Sequence, residues 1–121
     1  MGFGEDQPDT RIPEPSLSYR VLVRDRGLNE FDVVRASFDG HIYLTGAVGK
    51  AKVSIPSKKI NRVDFEPTEG RDVLAIVTLN SGKQQTLQVR GTTPCYGEAE
   101  FGNMKIELRY LKDLVIRGRA P

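Results

Sequence analysis

The chain holds one histidine, His41, and one cysteine, Cys95, and these are the first side chains to test as a tunable base and a nucleophile. Proton transfer or nucleophilic attack requires several polar groups converging on one place. His41 directly follows an Asp39-Gly40 turn signal, a strand-edge position where an imidazole is expected to be solvated. Cys95 follows Thr92-Thr93-Pro94 with no neighbouring cation or helix N-terminus to lower its pKa, so it reads as a semi-buried small residue rather than a reactive thiol. No second His or Cys stands nearby, so no transition-metal spacing exists.

Two further patterns invite chemistry and fail. Gly46-Ala-Val-Gly49-Lys50 has the look of a phosphate-binding loop, but Leu44 occupies the place of the first glycine and Ala51 the place of the required Ser or Thr. The motif also needs a following helix, whereas Ala51 to Ile55 alternates as a strand does. Glu98 with Glu100, and Asp64 with Glu66, are spaced to share strand faces, which fits the wet side of a sheet. The expectation is no catalytic residue, no cofactor, no metal and no enzyme.

Charge segregation is the strongest functional signal. Lys50, Lys52, Lys58, Lys59 and Arg62 follow one another without an acidic residue between them. The C-terminal segment adds Lys105, Arg109, Lys112, Arg117 and Arg119 against Glu107 and Asp113. Such a surface can hold a polyanion through salt-sensitive phosphate contacts. The expected set is Lys50, Lys52, Lys58, Lys59, Arg62, Arg109 and Lys112. Modules for single-stranded nucleic acid add stacking aromatics, and beside these segments the sequence offers Tyr110. A sugar-binding surface would rest on Tyr19, Tyr43, Tyr96 and Tyr110, since the chain has no Trp.

The elements that must position these residues read as strands. Tyr19, Val21 and Val23 alternate with polar neighbours, and Ile42 and Leu44 alternate with His41, Tyr43 and Thr45. Turn signals at Asp25-Arg26-Gly27, Asp39-Gly40, Asn80-Ser81-Gly82, Tyr96-Gly97 and Gly102-Asn103 separate the runs, and Asp39-Gly40 predicts a hairpin. Val73 to Leu79 is apolar at both parities, which predicts a central strand covered on both faces. Ser57 to Asn61, after Pro56, is the one stretch that suggests a short helical turn, with Ser57 as its cap. The expected fold is all-β: a two-sheet β-sandwich or flattened barrel of roughly eight to ten short antiparallel strands, with at most one helical turn. Residues 1–16, with Pro8, Pro13, Pro15 and four acidic side chains, read as a flexible tail that can lie across the basic surface. Residues 17–121 form a single β domain.

The second half resembles the first when slid back by 51 positions. Gly40 meets Gly91, Gly46 meets Gly97, and Ile55-x4-Ile60-x2-Val63-x-Phe65 meets Ile106-x4-Leu111-x2-Leu114-x-Ile116 without a gap. Half-repeats at 17–66 and 70–117 would each expose one apolar face and cover it against the other. The Ile55-Pro56-x3-Ile60-x2-Val63 stretch also resembles the last hairpin of Sm-like barrels, over about ten residues and with no functional residue carried across.

Composition sets the remaining bounds. The 18 basic and 16 acidic residues give a net charge of +2, too balanced for bulk charge to select nucleic acid or a membrane. No apolar run approaches a bilayer span and the N-terminus lacks a secretory pattern, so a soluble cytoplasmic protein is expected, or a cell-envelope one if a signal peptide has been removed. Asp6 stands where N-myristoylation would need Ser or Thr. The leading expectation is a non-catalytic protein interaction or assembly module with an unidentified protein partner. Polyanion or nucleic-acid binding through the basic face stands second, and carbohydrate binding third.

Overall fold

The computed structural model describes residues 10–13 and 19–119. Ten strands follow one another: β1 Tyr19–Asp25, β2 Glu30–Phe38, β3 Tyr43–Val48, β4 Ala51–Pro56, β5 Ile60–Pro67, β6 Asp72–Leu79, β7 Gln84–Arg90, β8 Pro94–Ala99, β9 Gly102–Glu107 and β10 Leu111–Arg119. All pair antiparallel in one continuous sheet of order β4-β3-β7-β6-β5-β10-β1-β2-β8-β9, strongly curled into a half-barrel. Hydrogen-bonded pairing runs unbroken from β4 to β9, so this is not the expected pair of sheets. Curling one sheet lets its own concave face close over the apolar interior.

Period-two alternation sends Val21, Val23, Val33, Val63, Val77, Leu87 and Leu114 inward, each at most 2% exposed. Burying a side chain of this size contributes about 1.5–3 kcal/mol. β6 lies between β5 and β7, as its apolar run predicts, but only Val73, Ala75 and Val77 are buried. Leu74, Ile76 and Thr78 on the convex face are half-buried rather than covered.

Asp39-Gly40 forms the predicted tight turn. The two residues take φ of 53° and 80°, and Phe38 and His41 exchange both backbone hydrogen bonds across them. The hairpin ends there, because β2 goes on to pair with β8 and β3 with β7. Among the described residues two 3₁₀ turns are present rather than one, Ser57–Lys59 and Leu108–Tyr110. The second lacks a preceding proline and forms by burying Leu108 and Leu111. Ser57 does not cap the first through its side chain; it is buried within it.

Tyr96-Gly97, read as a turn, lies inside β8, and the turn before Gly102 falls at Glu100 and Phe101. Gly97 is glycine because Val33 packs across it: a Cβ there would stand 2.7 Å from Val33 Cγ2. Of the expected tail, residues 1–9 and 14–16 lie outside the described residues. Within Thr10–Pro13, Ile12 is only 5% exposed and Pro13 lies against Gly40, so this segment is packed.

The two halves correspond element by element. β3, β4 and the first 3₁₀ turn map onto β8, β9 and the second at the 51-residue offset. Hydrogen bonds map too: Ser57 N–H to Ile42 C=O corresponds to Leu108 N–H to Thr93 C=O. β1 and β2 map onto β6 and β7 with three further residues of offset, so that the pair Val34–Glu98 corresponds to Gln88–Ala47. Exchanging the two sets of strands reverses the sheet order onto itself, with the Val63–Leu114 pair at its centre. Each half therefore supplies its β3–β4 or β8–β9 hairpin to the other half's ladder. Among the described residues, no helix is long and apolar enough to cross a membrane.

Candidate functional site

The curled sheet gathers polar side chains on its convex face, and the most tightly bound group stands at the centre. Asp113 on β10 is paired in register with Arg24 on β1 and Asp64 on β5. Arg24 Nε donates to Asp113 Oδ1 at 2.9 Å, and Arg62 Nη2 donates to Asp113 Oδ2 at 2.9 Å. Arg62 also grips Asp64 through Nε and Nη2. Asp113 is thereby 1% exposed, and the Arg24 hydrogen bond, opposed by burial, holds its carboxyl below the usual carboxylate range. Two carboxylates side by side on neighbouring strands repel. Arg62, bridging both, neutralises the contact. Its charge serves this network and does not project as a free cation.

The expected polyanion set divides accordingly. Arg109 Nε donates to Glu107 at 2.6 Å, and its guanidinium covers Tyr110 at 4.7 Å, so it too is engaged locally. Lys112 is exposed on β10, beside the buried Asp113. Lys50 occupies the β3–β4 turn, Lys52 points outward from β4, and Lys58 and Lys59 project from the first 3₁₀ turn, all four exposed. The two basic segments meet where β5 pairs with β10, at Arg62 and Asp113, while the two 3₁₀ turns precede different strands of that pair.

A groove at the β7–β3–β4 end assembles a different group. Lys52, Arg90, His41 and Asp39 line it together with Tyr43, Thr45 and Thr93. A second groove that shares Tyr43 is lined by Ile42, Ser54, Pro56 and Lys58. Tyr43 is 38% exposed, and His41 stacks on it with ring centroids 4.8 Å apart and planes at 20°. Sequence reasoning placed Lys52 and Lys58 in a basic set but missed Arg90, which lies 38 residues beyond Lys52 and arrives only through the β3–β7 pairing. The outward parity of Tyr43 on β3 was the available signal.

The other chemical candidates resolve into structure. Cys95 is buried among Val21, Phe38 and Leu114, and burial pushes its thiol from an ordinary 9.0 up to about 12. A thiol so placed stays protonated and shielded. We therefore expect Cys95 in the folded chain to resist dithionitrobenzoate at pH 8 and to react at once in denaturant; equal rates in both states would contradict its placement. Glu98 faces Arg35 at 3.6 Å on β8 while Glu100 sits in the following turn, so they do not form a carboxylate pair on one strand. Gly46 lies within β3 and is followed by β4, not by a helix.

Fold and surface define an all-β protein built on one curled antiparallel sheet, with a cationic groove around an exposed aromatic pair. The chain belongs to the family whose model, described as an uncharacterised protein, matches residues 15–119. No curated protein and no solved structure matches it.

Proposed function

We propose that this chain is a non-catalytic interaction or assembly module that accepts a strand from a partner protein at an open edge of its sheet. The observation behind this reading is that, among the described residues, the sheet ends on β4 and β9, each paired on one side alone. An edge strand presents a row of backbone donors and acceptors that an extended partner segment can use. In β3–β4 the Val48–Ala51 pair closes a two-residue turn, and in β8–β9 the Ala99–Gly102 pair does the same. Antiparallel alternation then aims the N–H groups of Lys52, Ser54, Asn103 and Lys105 outward. We read the correspondence of the halves as an internal duplication, which makes the two edges equivalent products of one unit. The buried, protonated Cys95 and the arginine-bound Asp64, Asp113 and Glu107 support a scaffold rather than a catalyst.

Proline at position 54 or 105 removes an outward donor and leaves the inner ladder intact, as edge strands tolerate. Protein partners retained by the native chain should be lost with Ser54→Pro or with Lys105→Pro. Undiminished capture by both folded variants would remove the edge-strand reading.

A second reading, polyanion binding through the basic face, is favoured by the meeting of Lys52, Lys58 and Arg90 around Tyr43. Lys50 and Lys59 flank this group in sequence, whereas Arg62 and Arg109 are committed to Asp64, Asp113 and Glu107.

A further inference from the structure

We infer that the Tyr43 groove binds single-stranded nucleic acid, with phosphates on Lys52, Arg90 and Lys58 and a base against the His41–Tyr43 stack; this rests on the polyanion reading and names its ligand. Three features of the groove point to that chemistry. First, cations line both of the grooves that share Tyr43. Lys52 and Arg90 line one and Lys58 the other, so a chain of phosphates running through both would meet positive charge in each. The single acidic side chain in the lining is Asp39, against the three cations.

Second, the aromatic pair is ordered and accessible. Hydrophobic bodies of this size ordinarily turn inward, yet Tyr43 is 38% exposed and His41 is exposed beside it. Stacking at 4.8 Å and 20° holds the two rings nearly parallel, so that a base can add to the stack on an outer ring face. Planar faces of this kind accept any base without reading its edge, and single-strand modules combine them with a basic groove.

Third, the matching element order of the two halves supplies an internal comparison. At the 51-residue offset His41 corresponds to Thr92, Tyr43 to Pro94 and Lys52 to Asn103, and at the 54-residue offset of β7 Arg90 corresponds to Ala36. The second half builds the same β8–β9 hairpin and 3₁₀ turn without the stacked aromatic pair and without counterparts of Lys52 and Arg90, keeping a cation where Arg109 stands for Lys58. The scaffold therefore does not require them: Gly46 and Gly97, which do serve the backbone, match across the halves. Residues that the fold leaves free, converging in one half alone, are accounted for by a ligand. A double-stranded ligand fits less well, because paired bases are not available to the stack.

The test is fluorescence anisotropy on the full chain with a labelled oligodeoxythymidine of about twelve nucleotides, a length within the range of single-strand sites. Unlabelled inorganic polyphosphate and a duplex serve as competitors. Three phosphate contacts predict a log–log salt slope of about −2, so binding should weaken about fifteenfold between about 50 and 200 mM salt. Tyr43→Ala should weaken oligonucleotide binding about tenfold and Tyr43→Phe should restore it, since stacking needs the ring and not the hydroxyl. Lys52→Glu with Arg90→Glu should abolish binding, whereas Lys83→Glu with Arg117→Glu, equal in charge change but outside the groove, should leave most of it. Urea midpoints for each variant separate lost binding from lost folding. If polyphosphate and oligonucleotide bind equally and Tyr43→Ala changes neither, the stacking inference falls while the polyanion reading stands. If neither ligand binds, or the distant reversal is as damaging as the groove reversal, both fall.

Discussion

Replacing Asp113 with alanine is expected to destabilise the protein by about 2 kcal/mol at neutral pH, although the residue points away from the apolar interior. Asp113 is 1% exposed because Arg24 and Arg62 close over it, and removing it leaves Arg24 without its carboxylate and Arg62 with Asp64 alone. Breaking a fully buried ion pair costs about 3–5 kcal/mol. Here Arg24 and Arg62 retain 30% and 36% of their side-chain exposure, so water recovers part of the loss and the smaller figure applies.

The pH dependence has a definite sign. Arg24, by hydrogen bond and charge, holds the folded Asp113 carboxyl below its ordinary value, so the folded state binds this proton more weakly than the unfolded one. The stabilisation is therefore complete above the ordinary carboxylate pKa of about 3.9 and disappears as pH falls through the depressed folded value. Asp113→Asn should show its full deficit at pH 7 and converge on the native chain in acid. Urea titrations at several pH values check this, and a deficit that stayed constant down to pH 2 would rule out the ionic explanation.

Gly97→Ala is expected to cost about 2–3 kcal/mol, from overpacking where β8 crosses β2. The added Cβ would stand 2.7 and 2.8 Å from Val33 Cγ2 and Cβ, and Val33 is 1% exposed in the core with little room to retreat. Gly46→Ala meets the equivalent obstacle, Leu87 Cβ at 2.9 Å and the Gln88 carbonyl oxygen at 2.8 Å. Shortening the obstructing side chain should relieve the clash. The double variant Gly97→Ala, Val33→Ala should then be more stable than the sum of its single costs predicts, by about 1 kcal/mol or more. Simple additivity in denaturant melts would mean that Gly97 is not held by Val33.

Much of the strand inventory was legible before any coordinates. Alternation at Tyr19 to Val23 marks β1, Asp39-Gly40 marks a left-handed two-residue turn, and the matching apolar spacings at Ile55–Phe65 and Ile106–Ile116 fall on equivalent strand, 3₁₀ turn and strand segments. Errors arose where a residue type has two uses. Gly97 looked like a turn former, whereas it is small because another strand's side chain lies on it. Arg62 and Arg109 looked like free cations because spacing along the chain does not reveal which carboxylate will lie across the sheet.

The sequence by itself determined that these residues form short antiparallel strands with one greasy face each, because side-chain direction alternates with every residue and apolar groups must leave water. Only the tertiary structure decided that the strands join in one curled sheet, that β3 pairs with β7 and β8 with β2, and that Arg90 arrives beside Tyr43. The reason is that the hydrogen-bonding groups of a strand are the same in every residue but proline. Alternation fixes which way a side chain faces, while the choice of neighbouring strand depends on packing between residues far apart in the chain.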